Sequence, residues 1–565
     1  MMNIKMPTKG KKGDEKRIKL AVPNLQIGDM IDYFVYDYED VKEENIAPVT
    51  FFFGSNYPLL DYQIHCAIDS KICTQYRTMN GAPDFTCSKD KDKEILDLHV
   101  KDIDKTLYDY AFNPIKQTPH ISLYMTGKYA AYYTPKSAES KGVFANPSAE
   151  IIQNDAWCLW SEWVKVKMAL DNNLLTLIRN ARKLTTDEEK ADYIYEYFVM
   201  HSLLNNEAYI APIRFSNYFT YILRCLKVPF NYALTTNSFN EPIDELINYS
   251  NATRIVVLKN GKCYFPLGYA VSANVVPSIY QNRDAVRTEV LKKLEKGPFT
   301  QFKIACSSAS DNVERVEVKA TIEDEKINIE RQNTHIGCAK EKIIPYFTTA
   351  EEISKSWGKA YGYNNYTEAL SEDYKKSKAK AKAEERAEND KEKISENFKS
   401  EIKNYHEKAP ISINQTKVTS FGDNNTPFTY LLNYQMDGLV KKAGRNLVVS
   451  VGQLFGSHSH IEGNERKRDE DVIFNYPRTY EVTLNLEIPS GYSIPAESMK
   501  KLNKYIDNDA ISFTTVSEVK DNKLVISFRK IYKQQHVPVS NWNKVLEVLD
   551  GAYEFTSQQI ILKKN

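Results

Sequence analysis

Thr185-Thr186-Asp187-Glu188-Glu189 opens a stretch, residues 185–269, whose reading decides the fold of this chain. A Thr followed three positions later by Glu is a capping box, which satisfies the free N–H groups of a helix start and so fixes where the helix begins. The predicted helix then carries Ile194, Tyr197, Phe198 and His201 at helical spacing. A second helix follows, because Tyr218, Phe219, Ile222, Leu223 and Leu226 recur at three and four residues until Pro229 stops the pattern. Beyond it come strand-like runs, Phe230 to Leu234 and then Arg254-Ile255-Val256-Val257-Leu258. Asn260-Gly261 is a hairpin signal, since both residues tolerate positive φ, and Lys262-Cys263-Tyr264-Phe265 is the returning strand. The predicted order is helix, helix, strand, hairpin.

Two short words lie inside that order. Leu223-Arg224-Cys225-Leu226-Lys227-Val228-Pro229 resembles the "leucine-arginine-x-leucine-glycine-isoleucine-proline" exit from the nucleophile helix of transglutaminase-like enzymes. Gly261-Lys262-Cys263-Tyr264-Phe265 resembles the same family's "glycine-lysine-x-tyrosine-tryptophan" strand. The resemblance implies a papain-like α+β core with a cysteine at the N-terminus of the second helix, where the helix dipole favours the thiolate. It also implies a histidine base at the start of the next strand and an aspartate, one strand on, that orients the imidazole.

None of the three is present. Counting back from Arg224 places the cysteine position at Pro212, with Ile210 and Ala211 before it. Counting from Gly261 places the histidine at Thr253 and the aspartate at Leu267. A slip of register does not restore the chemistry, because no cysteine lies between Cys158 and Cys225 and no histidine between His201 and His335. Ser216 near the start of the second helix lacks a following histidine to activate it and reads as a first-turn hydroxyl. Cys225 with His201 is the other conceivable pair, but Cys225 sits at the negative end of its helix and reads as a small buried hydrophobe. The expectation is a catalytically inactive transglutaminase-like pseudoenzyme with no catalytic residue, no metal and no cofactor. The alternatives are a cysteine-type hydrolase or acyltransferase with a non-standard nucleophile, and a purely structural module.

The resemblance extends to both flanks. Val22-Pro23-Asn24-Leu25, then Gly28-Asp29-Met30-Ile31-Asp32-Tyr33, resembles the signature of an N-terminal β domain of unknown function that precedes such cores in bacterial envelope proteins. In that family, further strands and a signal peptide precede the signature. Here the signature stands almost at Met1, so the β domain is expected to lack its first strands, and no signal peptide is visible. Ile27 to Tyr36 alternates as a strand, and residues 62–78 give two further strands around Ile68-Asp69-Ser70-Lys71. At the other end, Tyr480 to Pro489 alternates, Ser490-Gly491-Tyr492 turns, Leu524 to Phe528 is a strand, Trp542 to Leu549 a short helix, and Gln559 to Lys564 a closing strand. This pattern resembles the family's companion C-terminal β domain.

The expected architecture is therefore α+β and multidomain: an N-terminal antiparallel β domain in 1–150, a transglutaminase-like core in 151–300, and a C-terminal β-sandwich-like domain in 301–565. Trp157, Trp160, Trp163 and Leu170 mark an amphipathic helix leading into the core, and residues 313–334 resume strand alternation. Residues 365–408 are rich in Lys, Glu and Ala with almost no apolar stripe, which predicts a solvated helix inserted in the last domain.

Composition adds exclusions. With 75 basic and 74 acidic residues the formal net charge is +1, so no global field points to nucleic acid, and no run approaches a membrane-spanning length. The 37 Tyr and 24 Phe fall in alternating runs and read chiefly as sheet packing. His458-Ser459-His460-Ile461-Glu462 has ligand types that suit zinc but lies in a charged stretch and reads as a surface loop. The eight cysteines form no CxxC pair; Cys66 and Cys73, on neighbouring strands, are a disulfide candidate if the protein is exported. The family resemblance implies a periplasmic or cell-envelope location and a peptide or glycan as the ligand.

Overall fold

The computed structural model describes residues 24–36, 48–105, 110–126, 136, 140–164, 170, 172–204, 212–266, 272–289, 299–349, 352–353, 355–357, 378–423 and 426–565. The chain divides into two units, 1–43 and 44–565. In the first, Asn24 and Gly28 turn with positive φ, and Asp29 accepts a hydrogen bond from the backbone N–H of Gln26 at 2.8 Å. The strand expected over Ile27 to Tyr36 is not formed among the described residues, and Met30, Tyr33, Phe34 and Tyr36 are exposed. Alternation supplies a face, but a strand also needs a partner. Leu20 to Pro23 lie outside the described residues.

The second unit is a mixed α+β assembly of several sheets. Its first part stacks two small sheets. One has the order β1-β6-β3-β7, from β1 (Val49–Phe52), β6 (His120–Thr126), β3 (Cys73–Met79) and β7 (Gly142–Ala145). The other has the order β2-β5-β4, from β2 (Leu59–Asp69), β5 (Lys93–Ile103) and β4 (Thr86–Asp90). Ile64, Ile68, Leu96 and Leu98 meet Tyr76, Ile121 and Leu123 between them. Cys66 and Cys73 therefore sit in different sheets and no disulfide joins them, so the disulfide expectation fails; neighbours in sequence need not be partners in a sheet. The short helix α1 (Pro114–Gln117) leads into β6.

Next come four helices: α2 (Ala149–Val164), α3 (Asn172–Ala181), α4 (Asp187–Leu204) and α5 (Pro212–Cys225). They cover an antiparallel sheet of order β10-β9-β8-β11-β12, from β8 (Phe230–Thr235), β9 (Thr253–Leu258), β10 (Cys263–Tyr264), β11 (Asp284–Glu289) and β12 (Thr300–Lys303). Strand alternation divides its two faces. Tyr232, Leu234, Val256 and Tyr264 pack with Trp157, Ile194, Phe215 and Phe219 of the helices, whereas Ala233, Ile255, Val257, Phe265 and Tyr280 build a separate core behind.

The remainder centres on an eight-stranded sheet of order β15-β16-β14-β13-β20-β24-β23-β22. Its strands are β13 (Val313–Glu323), β14 (Lys326–His335), β15 (Ser412–Phe421), β16 (Phe428–Asp437), β20 (Arg478–Glu487), β22 (Lys504–Asp507), β23 (Ile511–Lys520) and β24 (Lys523–Tyr532). All neighbours are antiparallel except the central β13/β20 pair. A four-stranded sheet joins β17 (Val440–Ala443), β18 (Asn446–Val449), β26 (Ile560–Lys564) and β21 (Tyr492–Ser493), and β19 (Val472–Ile473) pairs with β25 (His536–Val537). The helices here are α6 (Lys340–Phe347), α7 (Lys378–His406), α8 (Ala496–Lys500) and α9 (Trp542–Thr556). The charged helix is not solvated to its end. Phe398 and Ile402 of α7 are buried, and Phe398 stacks on Phe347 of α6 at 4.4 Å, so its last three turns carry the apolar stripe that the rest lacks.

Candidate functional site

The capping box at the start of α4 is formed by Thr186 and Glu189. Thr186 Oγ1 accepts the Glu189 N–H at 3.1 Å, and Glu189 Oε2 accepts the N–H groups of Thr186 at 2.8 Å and Thr185 at 3.1 Å. The Thr186 backbone N–H, first among these bonds, holds the Glu189 carboxyl below its ordinary range. At the end of α5 the chain reverses through Lys227, which has φ of 60° while the Val228 N–H reaches back to the Leu223 carbonyl at 2.9 Å. This is the left-handed residue of a Schellman turn, which explains why the resembling word has glycine there. Lysine carries the strain in this chain.

The turn sends β8 back along α5, so the end of β8 and the start of β9 come level with the first turns of the helix. Pro212 is the first residue of α5; its side chain is outside those described. Thr253 is the first residue of β9, opposite Thr235. Its side chain falls with Ile255 and Val257 on the face away from the helices, and its Oγ1 lies 3.4 Å from the Tyr280 hydroxyl. Tyr280 in turn stacks on Phe265 at 4.9 Å, and burial raises its phenol pKa. Leu267 lies outside the described residues.

On the helix side of that strand start stand Ala252 and Arg254, which the reading from sequence passed over. Arg254 is 9% exposed and its Nε has no partner. Burial pulls the guanidinium pKa down to about 10. A single basic residue inside the apolar run from Arg254 to Leu258 was the available signal. Ser216, one turn into α5, is buried, and its carbonyl accepts the Thr220 hydroxyl at 2.7 Å. Cys225 ends α5 and Cys263 lies by the hairpin, so both thiols stand at the opposite end of the sheet; burial pushes the Cys263 thiol up to about 12. His201 belongs to α4, and its side chain is outside those described.

At that opposite end the hairpin is pinned to α4. Lys262 Nζ reaches Glu188 at 2.9 Å, Asp192 at 2.8 Å and Asn274 at 2.7 Å, while Asn260 donates to Glu188 at 2.7 Å. A cavity of about 390 Å³ opens there between Thr186, Glu188, Asp192, Pro229 and Leu258. The helix-start end, by contrast, presents hydroxyls, a phenol and a guanidinium. Such groups bind and fill; among the described side chains there, none is a thiol or an imidazole.

His458 and His460 separate. His460 stacks on Tyr553 at 4.0 Å beside Glu462, as a surface loop would place it, but His458 turns inward and stacks on Phe528 at 4.9 Å. Among the described residues no group of three or more His, Cys, Asp or Glu side chains is placed to hold a metal. Nor is any helix among them long and apolar enough to cross a membrane.

Residues 447–562 match the model of a family described as a domain of unknown function, DUF3858. The DUF3858-like stretch begins in β18 and ends in β26, so it takes in β20, β22 to β24 and α9 and leaves the rest of the eight-stranded sheet outside. The chain is also similar to a crystal structure described as "a putative protease from Parabacteroides distasonis", at 9% identity and a TM-score of 0.42, over 91% of this chain and 75% of that one. No curated protein matches.

Proposed function

We propose that the chain is a non-catalytic protein of transglutaminase-like type, whose cleft at the start of α5 and β9 serves as a binding or scaffolding surface for a peptide or glycan in the cell envelope. One observation carries this reading. The positions counted from sequence for a nucleophile and its base fall at the first residues of α5 and β9, which are Pro212 and Thr253, and Thr253 turns to Tyr280 behind the sheet. Proline suits the first position of a helix, whose N–H has no partner in any case, so the backbone keeps its course while the chemistry is gone. An acyl transfer needs an activated nucleophile with a base in hydrogen-bond reach, and a lone hydroxyl beside a phenol held protonated is neither. What remains on the helix side is Arg254, whose buried Nε–H has no partner, and an unused donor of that kind supports a recognition role.

The test is a peptide and glycan array followed by titration. Saturable binding, with hydrogen-exchange protection of residues 212–217 and 252–255, supports the reading. The absence of binding across a broad array favours a purely structural module instead.

A further inference from the structure

Four adjacent central strands of the eight-stranded sheet each turn a polar or ionisable side chain to the same interior row. His335 on β14 is paired with Glu314 on β13, Glu314 with Tyr480 on β20, and Tyr480 with Lys530 on β24. The next row holds Asn333, Val316, Val482 and Phe528, apolar on three of the four strands. Arg331 shares the face of His335, since strand residues four apart point the same way. Burying such groups is costly unless each finds a partner.

Their partners are incomplete. Arg331 is 1% exposed, lies 3.5 Å beneath the Tyr405 ring of α7 and donates Nη1 to the Leu454 carbonyl at 3.1 Å, but its Nε donates to nothing. Lys530 is 4% exposed and meets His458 Nδ1 at 3.1 Å. An ammonium only donates, so His458 Nδ1 accepts, its proton is on Nε2, and that buried N–H is also without a partner. Both ring nitrogens of His335 are unpartnered. Glu314 and Tyr480 keep partial solvent access although His335 and Lys530 at the two ends of the row are buried, so solvent reaches the row at its middle.

Charge gives the space a sign. Arg331, Arg478 and Lys530 face Glu314, and burial raises the pKa of that carboxyl despite them. The other carboxylate nearby, Glu401, is occupied by the hydroxyls of Tyr405 at 2.6 Å and Tyr430 at 3.0 Å. Arg478 donates to the Tyr480 hydroxyl at 2.9 Å and lies against the Tyr532 ring at 4.1 Å, without a carboxylate partner among the described residues. Two buried cations, Arg331 and Lys530, the half-buried Arg478 and several unused N–H donors therefore surround Glu314. A water molecule would use some of the donors but would leave the charge. An oxyanion answers both, because charge-assisted hydrogen bonds in a low-dielectric interior are the strong ones. We infer that this chamber receives one small oxyanion, a phosphate, sulfate or carboxylate group, held by Arg331, Lys530 and the Nε2–H of His458. This reading is independent of the cleft at α5.

The probes are inorganic phosphate, sulfate and acetate, titrated into the full chain freed of other oxyanions, against chloride at matched ionic strength, by calorimetry and thermal melting. The expected result is saturable binding of at least one oxyanion, with acetate distinguishing a carboxylate site from a phosphate or sulfate site. Lys530→Met is expected to weaken it by about tenfold or more, as losing a charged hydrogen bond does. Glu314→Gln, which removes a repelling carboxylate from the row and keeps the shape, is expected to tighten it by about threefold or more. No saturable oxyanion effect beyond that of chloride overturns the inference, as does equal binding by wild type and Lys530→Met. If Lys530→Met does not fold, Glu314→Gln decides: tighter binding supports the chamber and unchanged or weaker binding overturns it.

Discussion

The starts of β9 and β13 both lie on strands that have a neighbour on either side in their sheets, and the chain treats them in opposite ways. The starts of α5 and β9 hold Pro212 and Thr253, where the resemblance read from the sequence expects reactive groups. At β13 a place that a sheet interior fills with valine holds Glu314, walled by Arg331, His335 and Lys530. On our proposal the first region keeps the backbone of a site without its chemistry. The second has the ingredients of a site on an ordinary sheet, so backbone position alone is a poor guide to where this molecule acts.

The largest way to break the comparison is to loosen the lid of the chamber. Phe398→Ala removes a ring stacked on Phe347 and buried over the sheet, and is expected to cost about 3–5 kcal/mol by denaturant titration. Hydrogen exchange should then rise around Arg331 and His335 before it rises in α5. An equal, simultaneous loss in α5 would mean that the two regions are one cooperative unit.

Acid separates them next. Burial lowers the imidazole pKa of His335 to about 4 and of His406 to about 3. Both rings are neutral when folded and take up protons near pH 6.5 when unfolded. Between pH 6.5 and 4 the unfolded chain thus binds more protons, and stability falls as pH falls, by up to about 1.4 kcal/mol per pH unit for each ring. His335→Phe should flatten that slope in a series of melts. A slope unchanged by the substitution would place the titrating group elsewhere.

Smaller effects belong to the cleft region. Lys262→Met frees Glu188 and Asp192 from the hairpin and is expected to cost about 1 kcal/mol or less, an effect that shrinks with added salt. Pro212→Ala is expected to change stability by less than about 0.5 kcal/mol, because the first helical position uses no N–H. A large loss there would show that Pro212 does more than open α5.

Much of the central sheet was legible because it rests on local rules. A capping box, a stop at Pro229 and an Asn260-Gly261 turn each act within a few residues, and the helices and strands begin where those rules put them. What failed depended on partners far away in the chain. Ile27 to Tyr36 alternates but joins no sheet among the described residues, and Cys66 and Cys73 fell into different sheets. The last turns of α7 read as solvated because Phe398, Ile402 and Tyr405 are diluted by charge in the sequence, yet those residues cap the chamber. Which way a side chain faces was hidden as well. Thr253 opened the strand as counted, but the helix-side neighbours are Ala252 and Arg254, and His458 in a polar loop turned inward to Lys530. The match of residues 447–562 to DUF3858 agrees with the resemblance read at that end of the chain.

The central claim is that the cleft has lost its chemistry. It is tested most directly by a thiol-directed activity probe, with labelling mapped residue by residue in the wild type and in Cys225→Ala. The account predicts labelling only at exposed thiols such as Cys87 and Cys306, identical in the two proteins. Rapid, structure-dependent labelling of Cys225, abolished in Cys225→Ala, would contradict it and return the chain to the enzymes.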